Sequence, residues 1–90
     1  MSSTEHTLFT SVDSREVEGL KRSYAALKGW IKRKHIHVLD QHQFGAHPVE
    51  YQDRLMLRRV WFKSPGGIDD MDLVRRYLET KARLKVLGEI

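Results

Sequence analysis

Apolar positions recur at helical spacing near both ends of the chain and in a mixed pattern between. In the first stretch Val17, Leu20, Tyr24, Leu27 and Ile31 follow one another at steps of three and four, which places them on one helical face, widened by Trp30. The start is marked as well. Asp13 is a candidate cap with Glu16 three residues on, and Val12 and Val17 stand where a hydrophobic staple would close. Gly19 and Gly29 each cost up to about 1 kcal/mol relative to alanine inside a helix, so they mark close packing or a bend. The stripe can be extended to Val38. A helix over residues 13–41 would be roughly 40 Å long, so a kink or an end is expected before Asp40. The competing reading of residues 34–39 is a short strand in which Ile36 and Val38 alternate with His35 and His37.

The last stretch reads as a helix capped by Asp69, with Ile68 and Leu73 as a staple and Asp70 and Asp72 in the first turn. Its face runs Leu73, Tyr77, Thr80, Leu84, Leu87, with Val74 and Leu78 beside it. Lys81, Arg83 and Lys85 come late, and Gly88 is a suitable terminator. The middle stretch, residues 48–63, is ambiguous. Pro48 suits a first helical position, Glu50 and Asp53 come early, and Arg54, Arg58, Arg59 and Lys63 come late. Leu, Met, Arg and Gln favour a helix over a strand. Ser64-Pro65-Gly66-Gly67 then reads as a helix stop. Read as one extended strand, the same stretch places Val49, Tyr51, Leu55, Leu57 and Trp61 on one face, but Asp53 and Arg59 spoil the alternation. The helical reading is preferred.

These elements predict an all-α fold: a small three-helix bundle over residues 13–90, preceded by a flexible N-terminal tail over residues 1–12 in which Leu8 and Phe9 form a possible docking segment. The alternative is α+β, in the order α-β-β-α.

Length and charge narrow the picture. Ninety residues fit one domain, and a domain of this size buries only about 60–65% of the surface of its unfolded chain. A partner or self-association would therefore help it. There is no cysteine, which excludes disulfides, thiolate zinc sites and cysteine nucleophiles. Residues 1–10 lack the basic and apolar regions of a signal peptide, and no apolar run approaches the roughly 20 residues of a membrane span. A cytoplasmic protein with no membrane association is expected. Sixteen Lys and Arg against twelve Asp and Glu give a net charge of +4, a modest preference for acidic partners.

Candidate chemistry is sparse. The basic run Lys28, Lys32, Arg33 and Lys34 lies beside Trp30, and cations next to an aromatic ring can hold phosphates and stack on a base. Arg58 and Arg59 can extend that surface. The plainer reading is a solvated helix face with Trp30 turned inward. His35, His37, His42 and His47 lie close in sequence, but residues two apart diverge on a helix, so a metal site survives only in the strand reading and none is expected. The glycine turn after Lys63 lacks both a nucleophile elbow and the Gly-Lys-Ser/Thr of a phosphate loop. No enzyme activity and no cofactor are expected. The segment 55–62 is apolar around most of a helical turn, and a three-helix bundle can hardly bury all of it. Leu55, Met56, Trp61 and Phe62 are therefore candidates for a partner-binding surface.

The expected function is a small basic regulatory protein that binds nucleic acid as a homodimer through Lys28, Lys32, Arg33, Lys34, Arg58 and Arg59. The alternative is an adaptor or inhibitor that modulates another protein, or an accessory subunit of a larger complex.

Overall fold

The computed structural model describes residues 14–90. Its elements run α1 (Ser14–Arg33), β1 (His37–Leu39), β2 (His47–Asp53), β3 (Met56–Lys63), a one-turn 3-10 helix (Gly67–Asp70) and α2 (Met71–Val86). The fold is therefore α+β, ordered α-β-β-β-α. It is not the helical bundle expected from the sequence, and the α-β-β-α alternative lacked one strand. The expected N-terminal tail, the Asp13 cap and the Val12 staple lie outside the described residues.

The three strands form one antiparallel sheet in the order β1-β3-β2, with β3 at the centre. The predicted middle helix is replaced by the β2–β3 hairpin, in which Asp53 pairs with Met56 across the two-residue turn Arg54-Leu55. A central strand is bonded on both sides, and Val60, Trp61 and Phe62 suit it, so the tertiary setting overrides the helix preference of Leu57, Arg58 and Arg59. Cross-strand neighbours share a face. Val38 and His47 both lie opposite Phe62, and Val49 lies opposite Val60. That face is inward, because Phe62 and Val49 are fully buried. It packs on Val74 and Leu78 of α2 and on Ile36 to make the core, flanked by Ile31, Tyr51, Tyr77 and Leu73. Burying a side chain such as Phe62 contributes about 2–3 kcal/mol.

α2 also protects the sheet. β2 is an edge strand, and unpaired edge groups invite pairing with other chains. Arg75 Nε donates to the Glu50 carbonyl at 3.2 Å, and the Gln52 N–H donates to Glu79 Oε2 at 3.1 Å, so α2 covers this edge.

The two helices run antiparallel. Lys34, just past the end of α1, meets Asp70 at the start of α2, while Glu16 near the start of α1 meets Arg83 near the end of α2. Tyr24 and Tyr77 stack between them at 5.6 Å with an interplanar angle of 9°. Lys28 lies over the Tyr24 ring and Lys81 over the Tyr77 ring, which closes the pair from both sides. Burial against this neighbour raises the Tyr77 phenol above its ordinary value. No residue of α1 is buried, whereas α2 buries Val74, Leu78, Ala82 and Leu84.

The helix ends differ from the sequence reading in detail. α1 stops at Arg33 because His35 turns left-handed, with φ 56°. The Ile36 N–H then bonds the Ile31 carbonyl at 3.0 Å and the His35 N–H bonds that of Lys32 at 3.1 Å, the two bonds of a Schellman close. The stripe therefore does not continue to Val38. At α2, Asp69 lies inside the 3-10 turn rather than at the cap. The residue before the helix is Asp70, and its side chain makes no capping bond.

Candidate nucleic-acid interface

The basic run on α1 divides according to partner. Lys34 is committed to Asp70, with Nζ 3.4 Å from Oδ1. Arg33 lies over the Trp30 ring at 5.4 Å, and Trp30 is half-exposed rather than turned into the core. Lys28 rests on Tyr24, and Lys32 extends from an exposed position four residues on. Lys28, Lys32 and Arg33 have no ion pair among the described residues. Their charge is thus uncompensated at the end of α1.

A further lysine lies past this end. After the turn at His35 the chain enters β1, where His37 lies opposite Lys63 of β3. Lys63 likewise has no ion pair among the described residues. The loop from β1 to β2 folds back beside it: a Cβ added at Gly45, where φ is 83°, would lie 3.7 Å from Lys63 Cε. Sequence reasoning missed Lys63 and Phe44 as candidates. The period-two alternation of residues 61–63 was the only available signal for Lys63, because it sets Trp61 and Lys63 on one face.

Arg58 and Arg59 do not join this surface. Arg58 Nε pairs with Asp53 at 3.3 Å, on the same sheet face as Phe62 but toward the hairpin turn. Arg59 makes two bonds to Glu50 Oε2, at 2.6 and 3.1 Å, on the opposite face. The hairpin turn lies beside the last turn of α2, where Leu55 and Arg54 line one groove with Ala82, Arg83, Val86 and Leu87. That is the end of α2 away from Lys34.

The four apolar candidates also separate. Leu55 is 97% exposed and Met56 is more than half exposed. Trp61 is half-buried on the outer sheet face, with the His42 ring edge-on at 6.1 Å and 81°. Phe62 is wholly inside the core and offers nothing to a partner.

A second groove runs between the helices, lined by Leu27, Trp30 and Lys34 of the α1 side and by Leu73 and Arg76 of α2. Asp69, Asp70 and Glu79 also line it, so its cations are offset and it has little pull on an anion. Asp70 is the one buried charged residue described, at 6% exposed. Its Oδ2 accepts the Ser64 hydroxyl, and the Ser64 oxygen accepts the Gly66 N–H at 3.1 Å. Ser64 is thereby spent on holding the turn. Among the described residues no three His, Asp or Glu side chains are grouped to hold a metal ion, and no helix is long and apolar enough to cross a membrane.

Comparison with protein-family models, with curated proteins and with solved structures finds no match to this chain.

Proposed function

We propose that the protein binds nucleic acid through the end of the molecule where α1 runs into β1. The observation that carries this reading is that Lys28, Lys32, Arg33 and Lys63 are four cations without an acidic partner among the described residues, with Arg33 over the half-exposed Trp30. Phosphates compensate such charge and release counterions on binding. The protein acts as a binding module rather than an enzyme in this reading, since its serine turn is committed to structure. A cytoplasmic site of action accords with the absence of cysteine.

The test is a polarisation titration with labelled DNA and RNA oligonucleotides at low and rising salt. Binding is expected at low salt, and the double variant Lys32→Ala, Arg33→Ala is expected to weaken it by about tenfold or more. A protein that binds neither polymer at low salt does not have this function.

The hairpin tip supports a second reading, that of a protein-binding adaptor or dimer. Leu55, Met56 and Leu57 are exposed in sequence, and Val86 lines the same shallow surface as Leu55 and Met56. Arg54, Arg58 and Lys85 surround it, with Asp53 offsetting Arg58, and the remaining positive charge suits an acidic, aliphatic partner surface. Leu55→Asp is expected to abolish any such association and leave the fold intact. If sedimentation shows a monomer with and without the substitution, the tip is not a dimer contact.

A further inference from the structure

We infer that the nucleic acid is a single strand whose bases stack on the outer face of the sheet, against Phe44 and Trp61. This rests on the nucleic-acid reading above and names its ligand more narrowly.

The β1–β2 loop lies over part of the outer face, with His42 against Trp61 and Gly45 beside Lys63, and leaves both side chains partly exposed. Val38, Phe62 and Val49 turn toward the helices, so their neighbours in sequence face away from them. A row Leu39–Trp61–Pro48 therefore crosses all three strands on the outside, with His37–Lys63 as the next pair toward the basic end of α1. The one aromatic contact to Trp61 among the described residues is the T-shaped pair with the His42 ring, and part of the indole remains exposed.

Phe44 strengthens the case. It is 95% exposed, so the fold gains almost nothing from its ring. The backbone that carries it is a defined turn. The turn is closed by the Ala46 N–H to the Gln43 carbonyl at 2.9 Å, and Gly45 takes the left-handed conformation beside Lys63. The turn thus carries a bare phenyl ring one residue from the glycine that approaches Lys63, a lysine without an ion pair among the described residues. That pairing suits a nucleotide, with the base on the ring and the phosphate on the cation.

Strandedness follows from the aromatic component. In a duplex the faces of the bases are already stacked on one another, and an exposed ring finds no partner there. Unpaired bases have free faces, and proteins without sequence preference bind them by aromatic stacking along a cationic track. Here the cations available are Lys63 on the sheet and Arg33 and Lys32 at the end of α1, from which the chain passes through the turn at His35 into β1.

Fluorescein-labelled oligo-U and oligo-dT of about 12 nucleotides, within the usual site size, are compared with a duplex of equal length at low salt. The single strands are expected to bind about tenfold or more tightly than the duplex. Phe44→Ala is expected to weaken single-strand binding about five- to a hundredfold, Phe44→Tyr to restore it, and duplex binding to stay as it was. The melting temperature of Phe44→Ala should be unchanged, because the side chain is almost wholly in solvent. A duplex that binds as well as the single strand, or a Phe44→Ala protein that binds the single strand like the parent, overturns the stacking platform and leaves the broader reading standing. Failure to bind any of the three at low salt overturns both.

Discussion

Lys34 and Asp70 meet where α1 has just ended and α2 is about to begin, with 3.4 Å between Nζ and Oδ1. Asp70 stands where a capping side chain would normally bond the helix's own N–H groups. Its carboxylate is used elsewhere: it accepts the hydroxyl of Ser64 from the end of β3 and the ammonium of Lys34 from the end of α1. One buried side chain thus ties together a strand, a turn and both helices. Gly66 makes room for it, because a Cβ there would lie 2.6 Å from Oδ2.

The Ser64 hydroxyl holds the Asp70 carboxyl below the ordinary carboxylate value of 3.8, and Lys34 acts in the same direction while burial opposes both. A folded value below the unfolded one gives stability that is complete above about pH 4 and is lost as pH falls through the lowered value. Asp70→Asn is expected to cost about 1.5–3 kcal/mol at pH 7, the range for hydrogen bonds to a charged group. The difference from the parent should shrink below about pH 4. Urea unfolding at neutral and acid pH measures this, and an equal loss at both would show that the charge of Asp70 is not the source.

His35 and Gly88 occupy the same place in two copies of one motif. At α2 the Glu89 N–H bonds the Leu84 carbonyl at 2.9 Å and the Gly88 N–H bonds that of Lys85 at 3.0 Å, with Gly88 at φ 74°. This repeats the close of α1, where the left-handed residue is His35 at φ 56°. A side chain in that conformation costs about 1–2 kcal/mol, a cost glycine avoids. His35→Gly is therefore expected to stabilise the protein by about 1 kcal/mol. The gain is smaller than the full cost because glycine is also freer when unfolded. A lower melting temperature in that variant would mean that the imidazole makes a compensating contact.

The same logic shows why the hairpin was hidden in the sequence. Two-residue hairpin turns usually announce themselves by glycine or asparagine. Here the turn is Arg54-Leu55, with Arg54 at φ 59° and its carbonyl bonded by the Gln52 amide at 2.9 Å. Without that signal, residues 48–63 read as one element. The turn also reverses the phase of alternation: Val49 and Tyr51 face the helices from odd positions, Val60 and Phe62 from even ones. A single continuous strand cannot contain both sets, so Arg59 looked like an error, while Asp53 keeps the phase of Val49 and Tyr51 and pairs with Arg58 at the hairpin end of that face. The 3.6-residue period suffers no such interruption, and the helices over residues 14–33 and 71–86 were readable from it. The basic run on α1 was readable for the same reason. Phe44 and Lys63 were not, because Gly45, the residue after Phe44, meets Lys63 only when the β1–β2 loop folds over the sheet. Arg54→Gly is expected to raise stability by about 0.5–1 kcal/mol, measured by denaturant midpoint at unchanged slope.

The contrast between the helices predicts a gradient of local stability. α1 has no buried residue and is held by half-buried contacts, the Tyr24–Tyr77 stack and exposed ion pairs such as Glu16–Arg83. α2 sinks four residues into the interior. Elements with few buried contacts open with less free energy than the whole domain. Amide protons of α1 should exchange well before those of Val74, Leu78 and Ala82, and Tyr77→Ala should widen the gap. Equal protection in both helices would mean that α1 unfolds only with the domain.

Charge and stacking make separable contributions to the proposed binding, and salt distinguishes them. Each phosphate neutralised on a single strand adds about −0.7 to the slope of log K against log salt. If Lys28, Lys32, Arg33 and Lys63 each engage one phosphate, the slope is about −3. The double variant Lys32→Ala, Arg33→Ala should reduce its magnitude by about 1.4, besides weakening binding. Phe44→Ala should weaken binding at every salt concentration and leave the slope alone, because an uncharged ring releases no counterions. Affinities taken at four or five salt concentrations for the three proteins give both quantities. A slope unaffected by the double variant would place the phosphates elsewhere on the molecule. A slope that changes with Phe44→Ala would mean that the ring positions the strand on the lysines, so that stacking and charge are coupled rather than additive.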